Sequence, residues 1–331
     1  MSQAAMASSP VETAAAECPF CEGTESLLVS RTRDYGYRTC PNDFDYVRCS
    51  GCGQIYLHNR PTVSELDRIY PSDYTAYDLE NQLGAVVSRL RDYVQLRKLK
   101  ALREYLVPRD AILEVGPGSG DLLRVIRAHG DPSWSILGVE MSPKGAAILR
   151  RKGIPTVEER FEDLRYEGPP VGAVVMNQVI EHLYQPQAVV RKAFSLLRPG
   201  GVLFVETPSI EGWDARLVPL ELWGGWHAPR HFQIYTQDSF ARMVERAGFS
   251  VERVQYIYSP YLWAHTLQFA SRARWRAPLL EKFFDVGNPL AVSLTCLVDA
   301  LQLAVRGKTS NMRIIARKPL TRQGAYTPRT C

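Results

Sequence analysis

The stretch ILEVGPGSGDLL, Ile112 to Leu123, decides how this chain is read. An apolar, strand-like run ends in three alternate glycines, Gly116, Gly118 and Gly120, and a helical pattern begins directly after them. Glycines in such a loop let backbone approach a ligand closely, because no Cβ stands in the way. Two phosphate signatures are excluded. The dinucleotide fingerprint G-x-G-x-x-G would need its third glycine where Asp121 stands, and G-x-x-x-x-G-K-[ST] is absent.

Outward from this loop, strand and helix patterns alternate. AILEV reads as a strand and GDLLRVIRAHG as a helix. SILGVEM is the next strand, and SPKGAAILRRKG a helix with Ser142 as cap and Pro143 in its first turn. IPTVEE and VGAVVMNQ read as strands, PQAVVRKAFSLLRPGG as a helix, and VLFVETP as another strand. SFARMVERAGF, SVERVQYIY and NMRIIARKP add a helix and two strands. This rhythm predicts an α/β fold with a doubly wound, Rossmann-like sheet, whose ligand site lies beyond the carboxyl ends of the strands. Glu114 ends the first strand and Asn177 and Gln178 the fourth. Glu140 ends the second, with Met141 beside it, where a carboxylate can accept from both ribose hydroxyls of a nucleoside.

The chain has 331 residues, 45% hydrophobic and 23% charged, with a net charge of +5, enough for one large core and a smaller module. That charge is too mild to announce nucleic acid, and none is expected as a partner. Residues 1–16 read as a loose Ala/Ser-rich tail without signal-peptide character, so the expected location is cytoplasmic. Seven cysteines occur, four of them in two C-x-x-C pairs, Cys18/Cys21 and Cys49/Cys52. In an intracellular chain such pairs point to a tetrahedral zinc ribbon over 17–60, with a redox dithiol or chance pairing as alternatives. Four thiolates leave no open coordination position, so the zinc is expected to be structural. Cys40 reads as a bystander. A connector and an amphipathic capping helix (Leu83–Leu106) occupy 61–107, and the core is expected over 108–259 with a final strand in 309–320 and a tail from 321.

Taken in order, EVGPGSG, GVEMSP, FEDL, VVMNQVIEHLYQP, LLRPGG and VETP resemble the class I S-adenosylmethionine-dependent methyltransferases. The resemblance runs from Ile112 to Phe249 and is closest to the ubiquinone-biosynthesis O-methyltransferase group. It implies S-adenosylmethionine as cofactor, with Glu114, Gly116, Gly118 and Gly120 around its methionine part. Glu140 would hold the ribose diol, and Phe161, Glu162 and Asp163 would flank the adenine. Asn177 and Gln178 would stand near the methionine end.

Methyl transfer needs positioning and a base for the acceptor's proton. His182 follows the fourth strand, and His227 and His231 lie in WGGWHAPRHFQIYT after the fifth. His231 matches the histidine that precedes the helix leading to GF in the quinone-related enzymes, and is the first candidate for base. Each histidine also has a plain structural reading: His182 orienting a helix start, His231 pinning the lid. A metal shared by His227 and His231 is disfavoured, because Pro229 breaks the helix that i, i+4 ligands need. Trp223, Trp226 and Tyr235 are expected to frame a pocket for a flat or apolar acceptor.

Residues 260–308 interrupt the pattern with long apolar stretches, aromatics and arginines. They fit a lid, a homodimer contact or peripheral membrane association; Asn288, Pro289 and Asp299 argue against a true span. Three functions remain open: methyl transfer to a hydroxyl of a quinone-like, lipid-linked or secondary-metabolite acceptor; transfer to carbon or oxygen of a nucleotide- or lipid-linked deoxysugar; and a zinc-ribbon RNA- or protein-binding module with a degenerate cofactor site.

Overall fold

The computed structural model describes residues 9–70 and 85–320. Residues 1–8, most of the predicted connector's tyrosine-rich part (71–84, with Leu83) and the tail 321–331 with Cys331 lie outside the described residues. The amino-terminal part holds β1 (Thr13–Ala15), β2 (Ser26–Arg33), β3 (Asp43–Cys49), β4 (Ile55–Leu57), β5 (Asn59–Pro61) and α1 (Leu66–Ile69). Helix α2 (Ala85–Arg103) then leads into β6 (Ala111–Val115), α3 (Asp121–His129), β7 (Ser135–Val139), α4 (Pro143–Arg151), β8 (Thr156–Val157) and β9 (Val171–Asn177). Next come α5 (Pro186–Leu196), β10 (Leu197–Pro208), α6 (Asp214–Leu217), β11 (Gln233–Ile234), α7 (Gln237–Arg246) and β12 (Ser250–Tyr256). Helices α8 (Pro260–Ala273), α9 (Pro278–Phe283) and α10 (Pro289–Arg306) precede β13 (Asn311–Arg317).

Seven strands form the central sheet in the order β12-β13-β10-β9-β6-β7-β8. Neighbours pair in parallel except that β13 runs antiparallel to both β10 and β12. The switch point lies between β6 and β9, where the chain leaves β6 for β7 on one side and returns to β9 on the other. Alternation along each strand separates two cores. Leu113, Val174, Met176, Leu203 and Val205 face α5 and α7 with Val189, Phe240 and Met243. Ile112, Ala173, Val175, Val202 and Phe204 face α2 and α3 with Leu99, Leu102, Leu123 and Ile126.

Local signals act where they were read. The Ser142 hydroxyl accepts from Gly145 N at 3.3 Å to cap α4, and Pro143 occupies its first turn. One helix end moves. The run LLRPGG is strand, not helix, from Leu197 onward, because Pro199 has no N–H for a helical bond and Gly200 takes a left-handed φ of 78°.

The amino-terminal module is built together with the loop after β10. Its sheet runs β11-β4-β3-β2, so a strand from beyond residue 230 completes it, with Gln233 opposite Tyr56 and Ile234 opposite Ile55. Phe44, Tyr46, Ile55 and Leu57 share one cluster with Trp223, Trp226 and Phe232. Fully buried Arg230 is paired to fully buried Asp34 at 3.2 Å, with the Tyr37 ring 4.4 Å from its guanidinium carbon. Burial pushes the Asp34 carboxyl up, and the guanidinium outweighs it, holding the group below the usual carboxylate range.

Candidate functional site

Gly116, Gly118 and Gly120 all have left-handed backbone, with φ of 58°, 54° and 77°. At Gly120 a Cβ would fall 2.3 Å from Ile154 Cδ1, so glycine is required there twice over. Beneath the loop, Glu114 Oε1 accepts from Asn177 Nδ2 at 2.7 Å, while Glu114 Oε2 is buried without a partner. Burial pushes this carboxyl up to about 7. Asn177 Oδ1 in turn accepts from Lys98 Nζ at 3.0 Å, and Lys98 pairs with Glu206 at 2.7 Å. Glu206 also pairs with Arg313 at 2.6 Å. A polar chain thus crosses β6, β9, β10 and β13. Lys98, within the amphipathic helix expected over Leu83–Leu106, is buried at its centre.

Glu140 follows β7, is buried, and accepts from Ser142 N at 2.9 Å; Met141 beside it is exposed. Phe161 belongs to the hydrophobic core, whereas Glu162 is half-buried and pairs with Arg160 at 3.1 Å. Gln178 takes a left-handed φ of 53°, and its side chain donates to Asn311 Oδ1 at 3.2 Å.

The three histidines meet. Ring centroids are 4.7 Å apart for His182–His231, 4.9 Å for His227–His231 and 6.4 Å for His182–His227. His231 Nδ1 lies 2.8 Å from Gly225 O, and His182 Nδ1 3.0 Å from Arg230 O. A carbonyl only accepts, so both Nδ1 atoms carry the proton and both Nε2 atoms keep a lone pair. Burial drives His182 down to about 4, and His227 and His231 well below the usual imidazole range. The near-neutral titration that sequence alone gives His231 is removed by its surroundings, and all three rings are neutral at pH 7.

Glu181, next to His182, is fully buried; its Oε2 accepts from Thr207 at 3.1 Å and its Oε1 has no partner. One potential ligand atom from each of Glu181, His182 and His231 falls within 4.8 Å of the others. His227 is not part of that group. The aromatic residues expected around an acceptor have other partners. Trp226 stacks on Tyr46 at 4.2 Å, Trp223 Nε1 donates to Asp214 at 2.9 Å, and Tyr235 sits in the main core. Trp223 and Trp226 do reach one small crevice, shared with His227, Asp34, Tyr35 and Phe269; Tyr235 does not.

The four knuckle cysteines converge within 4.8 Å as free thiols, with Cys18–Cys52 and Cys21–Cys49 sulfurs each 3.4 Å apart. Thiolates around tetrahedral zinc stand roughly 3.8 Å apart, given Zn–S of about 2.3 Å. Cys40 is buried in a different cluster.

Residues 87–254, just over half of the chain, match the family model described as a methyltransferase domain. The chain belongs to that family. Among individual relatives, a probable S-adenosylmethionine-dependent methyltransferase of Mycolicibacterium smegmatis is 32% identical over 145 residues, 43% of this chain and 52% of the relative. The ubiquinone biosynthesis O-methyltransferase of Xylella fastidiosa is 32% identical over 103 residues, 29% of this chain and 41% of the relative. The chain therefore spans about half or less of the curated relatives it matches. The crystal structure of a SAM-dependent methyltransferase from Archaeoglobus fulgidus superposes with a TM-score of 0.45 at 14% identity, covering 69% of this chain and 94% of that one.

Sequence reasoning missed Lys98, Glu181, Glu206 and Arg313 as parts of the candidate site. Glu181 and Glu206 stand inside the quoted motifs IEHL and VETP, so a signal existed for them; none marks Lys98 or Arg313. A pH dependence follows from the histidines. Their folded pKa values lie below the unfolded value of about 6.5. As pH falls from about 6.5 towards 4, the unfolded chain takes up protons that the folded one refuses, and stability drops. Denaturant titrations across this window should show a steeper loss for the native chain than for His231→Gln. Parallel curves would show that His231 is not held neutral by its burial.

Proposed function

We propose that the protein is an S-adenosylmethionine-dependent methyltransferase acting on a hydroxyl of a small quinone-like, lipid-linked or secondary-metabolite acceptor. The observation that carries this reading is the buried, unpartnered Glu114 Oε2 at the foot of three left-handed glycines, a place suited to a cationic amino-acid ammonium. Glu140, at the end of the next strand, suits a ribose diol. Bound there, S-adenosylmethionine supplies a methyl group already activated on a sulfonium. The chain's part is to hold the acceptor, exclude water and take the hydroxyl proton, which suits the Nε2 lone pair of His231 with His182 beside it. Likeness to ubiquinone-biosynthesis O-methyltransferases supports a hydroxyl acceptor over carbon.

A second reading of the histidines rests on Glu181. One ring nitrogen from each of His182 and His231 and a carboxylate oxygen of Glu181, within 4.8 Å of one another, suit a divalent cation that would orient the acceptor's oxygen and ease its deprotonation. Burial alone lifts the Glu181 carboxyl to about 8, and a cation would hold it ionised. The four cysteines suit a structural zinc, whose four thiolates leave no position for chemistry.

Calorimetry should show S-adenosylhomocysteine binding that Gly118→Arg abolishes, since arginine brings both bulk and a disfavoured φ to the loop. Tight NAD binding without response to S-adenosylhomocysteine would overturn the proposal. His231→Ala should cost roughly 10²–10⁴-fold in turnover of a dihydroxyphenyl acceptor while leaving cofactor affinity unchanged. Titrating chelator-treated protein with Mn²⁺ separates the two roles: binding lost in both Glu181→Gln and His231→Ala assigns a cation, and no binding leaves His231 as base. Elemental analysis should give about one zinc per chain, with Cys49→Ser lowering stability far more than cofactor affinity. Metal-free protein that melts normally would remove the zinc.

A further inference from the structure

Helix α10 presents its faces in the reverse of the order expected for a helix against water. Ala291, Thr295, Asp299 and Gln302 are buried against the body. Asp299 Oδ2 accepts from Ser259 N at 2.5 Å, and Gln302 Nε2 donates to Lys308 O at 2.6 Å, so this polar face is tied down. The outward face carries Leu290, Leu294, Leu297, Leu301 and Val305, spaced by four, three, four and four residues and between 45% and 70% exposed. At 1.5 Å per residue the strip runs for about 22 Å. A contiguous apolar surface of that length on a soluble face marks an interaction site.

Its surroundings indicate what covers it. The start of α8 bonds to the later half of α10 through Ser259 and Asp299, and α9 with residues 284–288 leads from the turn after α8 to the Leu290 end of α10. That end adds exposed Trp275, Leu279 and Leu280. Within residues 274–306 the exposed charges are Arg274, Arg276, Lys282 and, at the far end of α10, Arg306, against Asp285; Arg272 and Glu281 pair with each other at 2.6 Å. Leucines and a tryptophan flanked by cations complement an anionic lipid surface. Two copies of the strip facing each other would set one basic rim against another. By length and composition α10 could cross a bilayer, but its polar face, with Asp299 and Gln302 bonded to the body of the protein, favours a helix lying on the surface.

We propose that the outward face of α10, with the α8–α9 turn, seats the protein on an anionic membrane surface, the helix lying in the plane of the headgroups. Helix α8 would then separate the lipid from the histidine lid, because Thr266 Oγ1 accepts from Gly224 N at 2.8 Å and Phe269 lines the crevice beside His227.

The test is flotation of the full chain with phosphatidylcholine vesicles, with and without 30% phosphatidylglycerol (an illustrative fraction, about one lipid in three, that supplies the anionic field). The native chain should float with the anionic vesicles, on the order of ten-fold more than with neutral ones, and salt should weaken the binding. Leu297→Glu/Leu301→Glu should abolish flotation while S-adenosylhomocysteine binding and the melting temperature stay unchanged, both residues being exposed. Arg274→Gln/Arg276→Gln should reduce it on the order of ten-fold. No flotation of the native chain, or equal flotation of the leucine variant, overturns the proposal. So does a native dimer in light scattering that the leucine variant converts to monomer without any vesicle binding, which would make the strip an interface between copies.

Discussion

A guanidinium shut away from water must find five acceptors in the protein, and Arg230 finds them in segments far apart in sequence. Its Nε donates to Ile69 O, Nη1 to Asp34 and Ala228 O, and Nη2 to Asp34 and Thr39. The residues it joins belong to the ribbon, to α1 and to its own lid loop. Breaking one partner of such a pair leaves a charge unpaired in the interior, a cost of about 3–5 kcal/mol. The loop after β10 is therefore fixed to the amino-terminal module. Tyr46 reinforces the joint by donating to both Trp226 O and His231 O. His231 is thus placed by residues that lie far before it in sequence and outside the methyltransferase core.

The carboxyl ends of the strands show the same economy of charge. Glu114 and Glu206 are both buried acids, yet Glu114 is pushed up to about 7 while Glu206 stays below the ordinary range. Burial raises both, and the difference is that Lys98 and Arg313 each pair directly with Glu206. Of these two, Glu114 is the one without a cation in direct contact, and it is the one beneath the glycine loop.

What the sequence revealed and what it hid divide along contact range. The glycine loop, the Ser142 cap, the alternating strands and the cysteine knuckles are local patterns, and each folds as its spacing predicts. The bounds of IPTVEE and LLRPGG were less legible, since a two-residue edge strand and a Pro-Gly bulge carry little periodicity. Aromatic density around His227 and His231 pointed to a pocket, but density does not say which side of a sheet a ring will meet. Trp226 found Tyr46, which lies 180 residues earlier, and became core. Lys98 is buried although its helix neighbours Lys100 and Arg103 are exposed, and nothing nearby in sequence announces Asn177 or Glu206.

Strand β13 sits between β10 and β12, although it is the last of the described strands and lies beyond the stretch that matches the family. Its position sets an order of assembly. When β12 leaves the ribosome it has no neighbour to pair with, because the lane beside β10 is still empty. The α8–α10 hairpin must be synthesised, and its leucine face exposed, before the strand that fills that lane exists. During that interval the growing chain carries an open sheet edge and an apolar helix together. Until β13 pairs, an open edge beside an apolar helix is prone to aggregate.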